Sequence, residues 1–193
     1  YATIHEQLDA FARNLAKAYQ AGDERAVIEI KNALPGYGRS TAEEVLQAGL
    51  SEEDFRQCIA TEYGFENWAV VESEGNVALN EEFETAVDLL LTGEKTKLKT
   101  LLRKQPELAQ QHSQYGHRAG LLHYLAANGV EIWRQIVPEN APELAKLLLE
   151  KGADPKQEHR VYGGQGDVLE LVQSSGHPFA AGVGEELVQI LKE

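Results

Sequence analysis

Two stretches decide how this chain reads: LLHYLAANGV, residues 121–130, and LLLEKGADP, residues 147–155. The first sets a histidine inside an apolar run and closes on Ala-Ala-Asn-Gly. The second is a leucine triplet that ends in Gly-Ala-Asp. A glycine just past an apolar helical run reaches the left-handed conformation without a steric penalty, so Gly152 reads as a helix C-terminal cap. Neither stretch carries a catalytic pattern. Both read as parts of a repeated helical scaffold.

The surrounding sequence has the same character. Ile4, Leu8, Phe11, Ala12, Leu15 and Tyr19 form one stripe of an amphipathic helix, as do Phe83, Ala86, Val87, Leu90 and Leu91. Leu98, Leu101 and Leu102 form a shorter stripe, with Lys95, Lys99 and Arg103 on a solvated outer face. Ser51 to Asp54 starts a helix with a cap and an acidic first turn. Asn140 is read as capping a helix with Pro142 in its first turn and Glu143 reaching back. No alternating strand pattern stands out, so the expected fold class is all-α.

Repetition gives the expected architecture. YQAGDERAVIEIKNALP (19–35) and LLTGEKTKLKTLLRKQP (90–106) each join a helix end to Gly plus an acidic residue, then a second helix, then proline. Breaks at Gly22, Gly64, Gly93 and Gly129 are spaced as helix–turn–helix units require. This predicts an α-solenoid of antiparallel helix pairs. A helical-repeat region at 1–79 precedes a better-marked one at 80–193, the two forming one continuous solenoid.

Residues 121–129 followed by LAKLLLEKGAD (144–154) resemble the ankyrin repeat. His123 matches the repeat's histidine, Gly129 its inter-helix glycine and Gly152-Ala153-Asp154 its terminal turn. The resemblance implies a scaffold role for His123, bonding backbone across the turn before the helix. Gly120 and Leu121 stand where Thr and Pro are usual, and Glu170 occupies the histidine position of a following unit. EIWRQIVPEN, at about 130–140, is an insertion between two helices of one repeat. With EYGFENW and YGGQGD…GHP, the pattern looks like bacterial ankyrin-repeat proteins with a degenerate helical N-terminal region.

Charge and composition narrow the functions. Residues 1–92 hold 6 Lys+Arg against 18 Asp+Glu, or −12; residues 93–193 hold 12 against 13, or −1. An acidic half repels nucleic acid and anionic membrane, so neither is an expected partner. No run approaches a membrane span and nothing resembles a signal peptide. The single Cys58 suits a reducing, cytoplasmic setting and reads as a buried small hydrophobe beside Phe55 and Ile59. A chain that starts at Tyr1 and stops in mid-pattern is expected to be part of a longer one.

Chemistry is sparse. His112, His117, His123, His159 and His177 cluster in sequence, but no HxxxH or HExxH pair and no nearby Cys accompanies them, so no metal and no cofactor is expected. Ser174, Ser175 and His177 lack a G-x-S-x-G elbow, and YGGQGD (162–167) is neither a P-loop nor a dinucleotide fingerprint but a hairpin tip. The expected function is a non-enzymatic protein-interaction module. The alternatives are a small-ligand or metal-dependent enzyme built around the insertion, Tyr162 and the histidines, and a structural linker in a larger protein.

The expected binding surface comprises Tyr115, His117, Arg118, Trp133, Arg134, Arg160 and Tyr162. Trp and Arg are enriched at binding hot spots, and Trp133 and Arg134 sit in an insertion that the scaffold does not require, where they either bind or only pack. The arginines point to a protein partner with an acidic or phosphorylated segment. The insertion joins this surface only if it folds back along the helices.

Overall fold

The computed structural model describes residues 1–161 and 164–192. The chain is mostly helical and divides into two compact units, Tyr1–Leu79 and Asn80–Glu193.

The first unit contains α1 (Ile4–Gln20), α2 (Glu24–Ala33), α3 (Ala42–Gln47), α4 (Glu52–Glu62) and α5 (Trp68–Glu74). The apolar stripe of α1 explains its placement: Ile4, Leu8, Ala12, Leu15 and Tyr19 are all buried, and α1 packs along α4. Each large aliphatic side chain removed from water contributes roughly 1.5–3 kcal/mol. Tyr19 buries its ring and donates its hydroxyl to the Val45 carbonyl at 2.9 Å, so no polar atom is stranded. At the start of α4 Ser51 and Asp54 cap reciprocally: the Ser51 amide donates to Asp54 at 2.8 Å and the Asp54 amide to Ser51 Oγ at 3.3 Å. Cys58 is fully buried beside Phe55 and Ile59.

The second unit begins with α6 (Glu81–Leu91) and α7 (Lys95–Lys104), followed by a 3-10 turn at Pro106–Ala109. The short α8 (Leu121–Tyr124) leads through a 3-10 turn at Ile132–Arg134 to α9 (Ala141–Glu150). Strands β1 (Glu158–Val161) and β2 (Gly164–Asp167) precede α10 (Val168–Ser174), α11 (Gly176–Ala180) and α12 (Gly184–Lys192). Phe83, Leu90, Leu98, Leu102, Leu125, Leu144 and Leu148 form the centre of one apolar core. The turns at Gly22, Gly64, Gly93 and Gly129 all have positive φ, the conformation that makes glycine the default there.

Three expectations need correction. The chain is not free of strands: β1 and β2 pair antiparallel, with Glu158 opposite Asp167 and Arg160 opposite Gln165. Four-residue strands with two glycines in β2 leave no alternation for a sequence to display. Asn140 precedes α9 but makes no side-chain cap there. Its side-chain Nδ2 donates instead to the Gly93 carbonyl at 2.9 Å, tying the 130–140 segment to the α6–α7 turn. Glu143, expected to reach back to Asn140, accepts from Lys95 at 2.6 Å.

Candidate functional site

The histidine of the decisive stretch holds backbone. His123 Nδ1 accepts from the Gly120 amide at 3.0 Å, so its hydrogen lies on Nε2, which donates to the Gln157 carbonyl at 2.7 Å. One imidazole thereby caps α8 and anchors the start of the hairpin. Glu170, at the equivalent position of α10, reproduces only half of this arrangement. Its carboxylate accepts from the Asp167 amide at 3.4 Å while Asp167 accepts from the Glu170 amide at 2.8 Å. A carboxylate can take the amide but has no hydrogen left to donate onward. That difference separates the start of α10 from the start of α8.

His159, on β1, stacks against His123 with ring centroids 4.4 Å apart and meets the Gly166 carbonyl through Nδ1 at 3.3 Å. Burial lowers both pKa values, to about 3 for His123 and about 4 for His159. The mutual repulsion of two neighbouring cations lowers His123 further. Both rings are neutral at pH 7.

Glu131 and Arg134, from the 130–140 segment, meet α6, α8 and the 113–119 turn in a second, more polar cluster. Arg134 is buried and reaches three carboxylates: Glu84, Glu131 at 3.3 Å and Asp88 at 3.0 Å. Its guanidinium also lies 5.9 Å from the Tyr124 ring and 4.5 Å from the Trp133 ring, within cation–π range. Glu131 is fully buried, with Oε2 3.5 Å from His117 Nε2. His117 Nδ1 accepts from the Ala119 amide at 3.0 Å, so the hydrogen on Nε2 faces that carboxylate.

Burial sets the electrostatics of this cluster. It raises the Glu84 carboxyl above its ordinary pKa, outweighing the pull of Arg134. Burial acts on Glu131 in the same sense, but His117 and Arg134 overcome it and hold it below the ordinary value. Burial pushes the Tyr124 hydroxyl up, and Glu131 and Glu84 push it further.

The structure brings together only some of the expected site residues, and it brings most of those inside. Tyr115, His117 and Arg134 are buried, so none of the three belongs to a binding surface as expected. The insertion does fold back, but its purpose at Arg134 is neutralisation of Glu84, Glu131 and Asp88. Tyr115 packs on His117 with ring centroids 5.9 Å apart, and His117 on Tyr124 at 6.1 Å. Arg118 is half-buried and Arg160 exposed, and the Arg160 amide donates to the His117 carbonyl at 2.8 Å, placing the two arginines' backbones side by side. Trp133 is 56% exposed. Tyr162 lies outside the described residues.

Sequence reasoning does not single out Glu84, Tyr124 or Glu131. Glu84 carried a signal: it sits next to Phe83 and two residues before Ala86, on the buried side of the α6 stripe, where an acid needs a partner. Nothing in the sequence near Glu131 marks it.

The remaining candidates have structural roles or none. Ser175 caps α11, its hydroxyl accepting from the His177 amide at 3.3 Å. Among the described residues no group of three or more His, Cys, Asp or Glu side chains is placed to hold a metal ion. Among the same residues no helix is long and apolar enough to cross a membrane. Comparison with protein-family models, with curated proteins and with solved structures finds no match to this chain.

Proposed function

We propose that this chain is a non-enzymatic protein-interaction module, its second unit built from ankyrin-like helix pairs, with the 130–140 insertion as the contact element. The carrying observation is the state of Trp133. It lies 56% exposed on the insertion, while the neighbouring Arg134 stacks against it at 4.5 Å and is itself fixed by three carboxylates. An exposed indole held on a rigid support loses little conformational freedom on binding, which is how aromatic anchors at interfaces contribute affinity. The ankyrin-like reading is supported by His123, whose two backbone bonds match the role that the repeat implies, and by the Gly152 turn after α9.

The test is affinity capture with the intact chain and Trp133→Ala side by side. Because the indole is mostly in solvent, the variant keeps its helicity and melting temperature, and the reading expects it to lose partners that the unaltered chain retains. Identical sets retained by both chains overturn it.

A further inference from the structure

We infer that the surface around Trp133 takes a basic and aliphatic peptide segment of a protein partner, the opposite charge from the one the arginines suggest in sequence. The inference rests on the interaction-module reading and adds the chemistry of the occupant. Of the large apolar side chains exposed among the described residues of the second unit, Trp133, Ile136 and Phe179, two lie three residues apart on the 130–140 segment. Their setting is acidic. Residues 81–94 carry exposed Glu81, Glu82, Asp88 and Glu94 with no lysine or arginine, and residues 130–140 carry exposed Glu139, whereas Glu84 and Glu131 are buried against Arg134.

The single cation of that setting is withdrawn from solvent. Arg134 is 4% exposed and engaged by Glu84, Glu131 and Asp88, so it offers no charge to a ligand. Asp88, by contrast, keeps its side chain 62% exposed while bonded to the guanidinium that underlies Trp133. Asp88 and Trp133 both contact the Arg134 guanidinium, so an incoming lysine or arginine meets an exposed carboxylate and an exposed indole held on one support, and a cation is attracted to each. An aliphatic neighbour in the same segment covers Ile136. A carboxylate or phosphate at this place is repelled by the exposed Asp88 carboxylate. Lys95, which directly follows the 81–94 stretch, is held by Glu143 at 2.6 Å.

The experiment selects binders from a displayed random-peptide library on the intact chain and measures the affinity of the selected peptides by fluorescence anisotropy. The expected winners pair Lys or Arg with an aliphatic or aromatic residue. Their binding weakens about tenfold or more in Trp133→Ala, as loss of a hot-spot aromatic does. Ile136 is exposed, so its variants test charge sign without touching the core: both lose the apolar contact, and Ile136→Lys weakens the selected peptides more than Ile136→Glu does. Far-UV circular dichroism and melting confirm that all three variants stay folded. Winners that are acidic or phosphorylated yet sensitive to Trp133→Ala overturn the basic-segment inference and leave the interaction reading standing. Winners indifferent to Trp133→Ala, or no winners at all, overturn both.

Discussion

Arg134→Met removes the arginine of the buried cluster while keeping most of the side chain's volume. Glu84 and Glu131 are 7% and 0% exposed, so neither can recover its lost partner from water. Breaking a buried ion pair by removing one partner costs about 3–5 kcal/mol, because the surviving charge is left uncompensated. Asp88 adds little to that figure, since its side chain is 62% exposed and an exposed pair is worth under about 1 kcal/mol. Part of the cost is recovered by protonation of Glu84, whose pKa burial already raises. The expected loss is therefore about 3 kcal/mol, a large share of the roughly 5–15 kcal/mol that stabilises a domain. Urea denaturation followed by circular dichroism measures it, and hydrogen exchange assigns it to α6, α8 and the 113–119 turn. Combining Arg134→Met with Glu84→Gln removes one of the stranded charges, so the double variant is expected to be at least about 1 kcal/mol more stable than the sum of the single changes predicts. A loss under about 1 kcal/mol for Arg134→Met, with strict additivity in the double variant, refutes the account of Arg134 as a structural neutraliser.

Two further predictions concern pH. His123 and His159 have folded pKa values of about 3 and about 4, below the ordinary value of 6.5, so the unfolded chain binds more protons in between. Their contribution is fully present above about pH 6.5 and is lost as pH falls toward 4 and 3; melting temperatures of the second unit at pH 7, 5 and 4 check this, and a flat profile refutes it. Glu29 in α2 has the opposite sign, its carboxyl raised by burial to about 7. Its contribution is full below about pH 4.5 and lost as pH rises through 7, so Glu29→Gln is expected to stabilise the chain relative to the native residue at pH 8 and not at pH 5. Equal melting shifts at both pH values overturn that reading.

Arg134 reads differently in sequence and in structure for a single reason. Arginine beside tryptophan in a segment between helices is the composition of a binding hot spot and equally of a buried clamp. Which of the two it is depends on whether carboxylates from elsewhere meet it. Those carboxylates, Glu84 and Asp88, lie 50 and 46 positions away in the chain. No local pattern joins them to the insertion. The same distance hid the role of Asn140, whose expected cap is replaced by a bond to Gly93 47 positions away.

Local backbone rules are what the sequence by itself determined. The glycine breaks at Gly22, Gly64, Gly93 and Gly129 follow from steric freedom at positive φ, and the α1 and α6 stripes from the period of the helix. The Ser51 cap follows from the geometry of four unpaired amides at a helix start. His123 belongs with these, since its bond to Gly120 spans three residues. The strand pairing and register that flank the expected hairpin tip, the burial of Tyr115 and His117, and the neutralisation of Arg134 were decided only by tertiary structure. Each depends on groups remote in the chain or on a strand too short to show a period. Electrostatic pairing is set by distance in space, and distance in space is the quantity that a one-dimensional pattern does not carry.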